Sequence, residues 1–255
     1  MTVGFRIKKT WERISPDLVD AFKPLPVANV GDCMSRMFAG GNALRPMHKD
    51  GVLAGPAFTV LTRPGDNLML HKAIDAAQPG DVIVVDGGGD LTNSLFGEMM
   101  LMQAIKRGVA GLVLNGAVRD RDAFLDHNLP VFAAGVSHRG PYKDGPGEIG
   151  FPISLYGMRI NPGDLILGDC DGVLCVPKEE AETVLAASRQ KKAAEDKQMA
   201  EIAAAYLTDP IRIEVTPPGQ PVERIDQSVH FVEQKSKTSL LVNHLDGHRT
   251  EAALV

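Results

Sequence analysis

The residues with the clearest chemical meaning lie in two short segments, Phe96-Gly97-Glu98-Met99-Met100 and Asn115-Gly116-Ala117-Val118-Arg119-Asp120. The first reads as a turn opening a helix, and a helix start offers unpaired backbone N–H groups to an anion. The second ends an apolar strand. Its arginine could grip the same anion, or a keto oxygen beside it. Its aspartate could hold a hard divalent cation. Anion cradle, guanidinium and carboxylate together are what polarises a 2-keto acid. Each residue also has an ordinary reading. Glu98 suits the positive end of a helix dipole, and Asp120 could cap the helix that follows it. Their convergence favours a site. Strands expected at 82–85 and 110–114 end at the same edge, and ligands of parallel sheets sit beyond the carboxyl ends of the strands.

The elements that must position these groups follow from pattern. Ser15-Pro16 opens a short helix to Phe22, with a second expected over Asn29 to Phe38. A strand is expected over Ala54 to Thr62, and helical spacing over Gly65 to Ala77. From residue 80 the order is strand 82–85, Gly-rich loop, helix 95–107, strand 110–114, helix 120–127 and strand 131–134. Short apolar strands alternating with helices imply a largely parallel, covered α/β sheet. A Gly- and Pro-rich loop from Val136 to Gly150 precedes antiparallel strands in Ile153 to Ile160 and Asp164 to Val176. A long helix then runs from Pro177 to Tyr206, its second half charged enough to face solvent or a neighbouring subunit. Pro-Gly-Asp occurs at 64–66, 79–81 and 162–164, where Pro then Gly suits the centre of a type II turn.

Other chemistries find less support. The loop Asp86-Gly87-Gly88-Gly89-Asp90 lacks the third glycine of a dinucleotide fingerprint and the Gly-Lys-Ser/Thr of a phosphate loop. It reads as a flexible turn bringing backbone close to a ligand or another chain. His71 reads as an ordinary helix residue. Asp169 and Asp171 precede Gly172 and read as turn chemistry. No serine lies in a nucleophile elbow, and no lysine is marked out for Schiff-base chemistry. The net charge of -5 and the absence of a basic cluster argue against nucleic acid. Cys33, Cys170 and Cys175 lack paired spacing and read as reduced thiols of a cytoplasmic protein. No membrane span or signal peptide is expected.

The run Pro79 to Gly89, with Gly97-Glu98, Arg107-Gly108-Val109-Ala110-Gly111 and Gly116-Ala117-Val118-Arg119-Asp120, closely resembles the RraA-like family. The likeness extends through Arg139-Gly140-Pro141, Gly145-Pro146-Gly147-Glu148 and Gly163-Asp164 to Asp171-Gly172-Val173, covering about residues 15–205. That family holds metal-dependent pyruvate aldolases acting on 4-hydroxy-4-methyl-2-oxoglutarate and 4-carboxy-4-hydroxy-2-oxoadipate. It also holds a regulator of ribonuclease activity.

The resemblance implies an RraA-like α/β sandwich with a swivelling β/β/α core over 1–207, and a C-terminal appendage over 208–255. It implies assembly as a homotrimer or homohexamer. It implies Mg²⁺ or Mn²⁺ on Asp120, a small-molecule keto acid held by Arg119, and the N–H groups of Gly97, Glu98, Met99 and Met100 cradling its carboxylate. By the same resemblance Glu98 holds a water, and Glu195 is the candidate for a further acid from a neighbouring subunit. Oxaloacetate decarboxylation is the expected side activity, since it passes through the same enolate. The alternative is a non-enzymatic regulator that binds a protein partner.

Overall fold

The computed structural model describes residues 4–206, so the segment 208–255 lies outside the described residues. The chain divides into two units, Met1–Gln198 and Met199–Val255, and of the second only the helical stretch through Tyr206 is described. In chain order the elements are β1 (Phe5–Ile7), α1 (Pro16–Phe22), α2 (Val27–Cys33), β2 (Arg45–Pro46), β3 (Leu53–Thr62), α3 (Leu68–Ala76) and β4 (Val82–Asp86). Next come β5 (Ser94–Phe96), α4 (Glu98–Arg107), β6 (Gly111–Val118), α5 (Arg121–His127), β7 (Val131–Val136), β8 (Gly147–Ile149), β9 (Ile153–Leu155) and β10 (Met158–Ile160). β11 (Leu165–Asp169), β12 (Gly172–Val176) and α6 (Ala181–Tyr206) complete the described chain.

The centre is the parallel set β3, β4, β6 and β7. These strands are apolar on both faces, as a covered parallel sheet requires. In β4, Ile83 and Val85 join the core under α3, α4 and α5, while Val82 and Val84 turn to the opposite side. There they meet Ile153 and Ile160 of the β9–β10 hairpin and Ile166 and Cys175 of the β11–β12 hairpin. The far face of β11 and β12 buries Leu167 and Leu174 with Phe22, Val30 and Leu185 from α1, α2 and α6. The result is helices, sheet, second sheet and helices, layered on period-two strand patterns.

β3 joins the two sheets. Its first half pairs antiparallel with β11, and its second half pairs with β4 and β8. Four short elements were not legible in the pattern: β1 on β8, β8 on β3, β2 on β7 and β5 on β6. The helix expected from 95 therefore begins at Glu98, because 94–96 pairs with β6 as strand. The helix expected over Asn29 to Phe38 is Val27–Cys33, and the chain leaves it through Ser35 and Arg36 at positive φ.

The Pro-Gly-Asp turns form as expected. Gly65, Gly80 and Gly163 have φ of 74, 87 and 90°, and each aspartate N–H bonds back to the residue before the proline. The aspartates have a further role. Asp66 accepts from the N–H groups of Leu68, Asp144 and Gly145 at 2.9, 2.7 and 2.9 Å. Asp81 receives both guanidinium arms of Arg13 at 2.7 and 3.0 Å, and Gln78 N–H at 2.9 Å. Asp164 accepts from the N–H groups of Asn161 and Lys178 at 2.8 and 3.1 Å. All three are buried.

Candidate active site at the strand ends

Three consecutive strands, β5, β6 and β7, deliver their carboxyl ends to one edge of the sheet. β6 is longer than its apolar run suggested. It continues past Leu114 through an irregularity at Asn115-Gly116, after which Ala117 and Val118 pair with both neighbours. The Gly-rich loop after β4 accounts for this. Gly87 and Gly89 donate their N–H groups to Asn115 O at 3.1 Å, and Asn115 Nδ2 donates to Asp86 Oδ1 at 3.0 Å. A Cβ at Gly87 would meet Leu95 Cδ1 at 2.5 Å and Asn115 O at 2.9 Å. The glycines thus let the loop close onto β6 of the same chain.

Beyond β6 lie Arg119 and Asp120. Asp120 is left-handed, with φ 60° and ψ 43°. Asp and Asn tolerate this region better than most side chains. The turn carries its carboxylate back over Gly97: Oδ2 accepts Glu98 N–H at 3.0 Å, and Arg119 Nε is 3.7 Å away. Arg119 N–H donates to Phe96 O at 3.0 Å, locking the end of β5 to the end of β6. Gly97 has extended backbone, so its freedom from a side chain matters rather than its φ. A Cβ there would lie 2.6 Å from Asp120 Oδ2 and 3.0 Å from Arg119 Cγ.

α4 starts at this point with Glu98 in its first turn and Lys106 and Arg107 in its last, as the helix dipole favours. Left-handed Gly108 caps its end. Of the four N–H groups expected to cradle a carboxylate, two make hydrogen bonds within the chain. Glu98 N–H is engaged by Asp120, and Met100 N–H by Gly97 O at 3.1 Å. Gly97 and Met99 keep N–H groups that make no hydrogen bond among the described residues. Glu98 and Met99 have exposed side chains, while Met100 is buried.

The third wall comes from the loop after β7. Ser137 N–H donates to Val118 O at 2.9 Å, and Gly140 lies beside the Arg119 guanidinium, where a Cβ would be 3.5 Å from Nη1. His138 and Arg139 are exposed on this loop. Residues 90–94 hold it in place, through Asn93 and Ser94. Burial opposes ionisation of Asp90, but N–H donors from Thr92 and Asn93 and the charge of Arg139 outweigh it and keep its carboxyl below the usual range.

Gly97, Glu98, Arg119 and Asp120 therefore meet as the sequence suggested. Glu195 stands apart in its polar contacts. It accepts Asn29 Nδ2 at 2.7 Å and pairs with Lys191 at 2.8 Å, which also reaches Asp32. The Lys191 bond, then the Asn29 bond, hold its carboxyl below the ordinary range. The cluster Asp169-Cys170-Asp171 is turn chemistry as expected: Asp169 accepts Asp171 N–H at 3.0 Å and Val27 N–H at 3.3 Å. All three cysteines are free thiols. No helix among the described residues is long and apolar enough to cross a membrane.

Comparison with known proteins identifies the family. The profile of the RraA-like family, described as Aldolase/RraA, matches residues 15–175. A Halalkalibacterium halodurans protein provisionally named 4-hydroxy-4-methyl-2-oxoglutarate aldolase is 39% identical over 177 residues, covering 69% of this chain and 84% of that one. The Thermus thermophilus 4-hydroxy-4-methyl-2-oxoglutarate aldolase is 34% identical over 113 residues, 44% of this chain and 69% of its own. The solved structure of the RNA-processing inhibitor RraA from Thermus thermophilis superposes with a TM-score of 0.56 at 28% identity, covering 60% of this chain and 92% of that one. With the match spanning both hairpins and the whole strand-end site, this chain belongs to the RraA-like family.

Proposed function

We propose that this protein is a divalent-metal-dependent aldolase that cleaves a 4-hydroxy-2-keto acid to pyruvate and a second carbonyl acid. The observation that carries the reading is Asp120, turned left-handed at the end of a buried strand so that its carboxylate lies over a helix start beside Arg119. The names of the two aldolase relatives support the same substrate class.

The donor set fits a magnesium-class cation. Asp120 is 44% exposed, one carboxylate oxygen accepts Glu98 N–H, and the other has no partner among the described residues. A hard cation that keeps most of its waters needs one or two such oxygens. Bound there, Mg²⁺ or Mn²⁺ would supply Lewis-acid pull on the keto acid.

The rest falls to the chain. The N–H groups of Gly97 and Met99 receive the substrate carboxylate, and Arg119 donates to the keto oxygen. A water held by Glu98, with Glu195 contributed by a neighbouring subunit, takes the 4-hydroxyl proton. The C3–C4 bond breaks, its electrons forming the C2–C3 double bond of the pyruvate enolate while C4 becomes a carbonyl. Negative charge grows on the C2 oxygen beside Arg119, so the guanidinium binds the transition state more tightly than the substrate. Protonation at C3 releases pyruvate.

Pyruvate release from 4-hydroxy-4-methyl-2-oxoglutarate and 4-carboxy-4-hydroxy-2-oxoadipate, measured with Mg²⁺ and with chelator, tests this. Activity should vanish with chelator and return with metal, and oxaloacetate decarboxylation should follow it. Full turnover by Asp120→Ala in chelated buffer would end the proposal. Arg119→Lys should lose roughly a hundredfold, since an ammonium cannot reproduce the planar fork. The likeness to the Thermus RNA-processing inhibitor supports a second reading as a protein-binding regulator. A purified protein inert toward every keto acid, in metal, would favour it. A homotrimer or homohexamer is the proposed assembly, because Glu195 then serves a site its own polar contacts do not reach.

A further inference from the structure

We infer that Asn93 is a positioning residue for the site, acting on Arg119 through the backbone of Gly140; the inference rests on the aldolase reading for its kinetic consequence only. Arg119 is 45% exposed, and its carboxylate neighbour Asp120 stands 3.7 Å from Nε, beyond a hydrogen bond. An arginine held so loosely takes its orientation from the surfaces around it. On one side is Gly97, which has no side chain to intrude, and on the other is Gly140.

Gly140 is itself fastened. Asn93 Nδ2 donates to Gly140 O at 2.5 Å, and Asn93 is buried. The adjacent peptide is held in the same direction: Arg139 O accepts Ser94 N–H at 2.8 Å and Ser94 Oγ at 3.0 Å. Asn93 takes its own position from Asp90, whose Oδ2 accepts its N–H at 3.2 Å and whose O accepts Ala117 N–H of β6 at 3.1 Å. The line of contacts runs from β6 through Asp90 and Asn93 to Gly140 and back to the guanidinium that follows β6. The strand that carries Arg119 also anchors the wall that aims it. The bond from Asn93 is the link in that line made by a side chain with no other hydrogen bond among the described residues.

Two variants test this. In Asn93→Ala the loop loses its tie. The expected result is a kcat reduced by about tenfold or more, as for a displaced reacting group, with a smaller change in KM and a thermal midpoint within a few degrees of the wild type. A crystal structure of the variant should show the guanidinium turned from its place beside residue 140. Asn93→Asp keeps the shape. Its ionised form cannot donate to Gly140 O and lies by the Asp90 carboxylate that accepts its backbone N–H, while Arg139 acts on that carboxylate and Arg63 pairs with Asp66 on the adjoining turn. Protonated, it donates again. Its rate relative to the wild type should therefore rise as pH is lowered through the carboxyl range. An unmoved guanidinium with kcat intact in Asn93→Ala, or an Asn93→Asp profile parallel to the wild type, overturns the inference. A wild-type enzyme inert toward keto acids would sink the aldolase reading instead, and the guanidinium position in Asn93→Ala alone would then decide.

Discussion

Asp81 sits just before β4 and Asp120 just after β6, yet their surroundings are opposite. Asp81 is 1% exposed and receives two arms of Arg13 and the N–H of Gln78. Asp66 and Asp164 share that state, with N–H groups converging on them. In Asp164, burial pushes the carboxyl above its ordinary range against those donors. Asp120 receives one N–H, has a second oxygen without a partner among the described residues, and is 44% exposed. A carboxylate whose lone pairs are filled by its own chain is part of the scaffold. One held in a strained turn with an oxygen to spare is disposed to take something from solution.

The largest effect should come from Asp120→Asn. Asn tolerates the left-handed turn and can still accept Glu98 N–H, but loses the charge. Turnover should fall roughly a thousandfold, about 4 kcal/mol of barrier, with the thermal midpoint unchanged. Equal losses of stability and rate would erase the contrast with Asp81. Asp81→Ala should do the reverse, removing about 2–3 kcal/mol of unfolding free energy by stranding Arg13 and Gln78 N–H, while activity per folded molecule stays near normal. Denaturant unfolding beside active-site titration measures both. Gly97→Ala should sharpen the comparison, because the added methyl meets Asp120 Oδ2 and Arg119 Cγ rather than the core. A loss of about tenfold in kcat is expected with little change in stability.

The smallest effect concerns pH. Arg6 hydrogen-bonds Glu148 and, against burial and with help from Gly4 N–H, holds its carboxyl below the usual range. A depressed carboxylate adds stability above its unfolded pKa, and that stability is lost as pH falls through the folded value. Arg6→Ala should therefore be less stable than the wild type at neutral pH, with the gap narrowing in acid. A gap that held constant down the acid range would assign Arg6 to packing against Phe151 instead.

Much of this was legible before the fold was known. The apolar runs of β4, β6 and β7 carry enough pattern to be read alone, and the Pro-Gly pairs fixed three turns. Arg119, Asp120, Gly97 and Glu98 were found because strand ends and a helix start are visible in sequence. The strands β1, β2, β5 and β8 were not, since each has two or three residues and exists only through a partner distant in the chain. Missing β5 moved the expected start of α4 upstream. Asn93 was missed for a related reason: its partner Gly140 is 47 residues away. One local signal was available. Asp90 followed by Thr92 and Asn93 is an aspartate that can turn back on its own N–H neighbours, which marks a braced loop rather than a slack one.

Phe96 and Phe124 stack at 5.7 Å with their planes 24° apart, both fully buried. Phe96 immediately precedes Gly97, and Phe124 belongs to the helix that Asp120 begins. The ring pair therefore welds the two turns of the proposed site into a single block, whereas the wall after β7 is attached to it largely by hydrogen bonds. Remodelling that wall, by a longer insertion or a grafted segment, should leave the paired turns in place while changing what borders the Arg119 guanidinium.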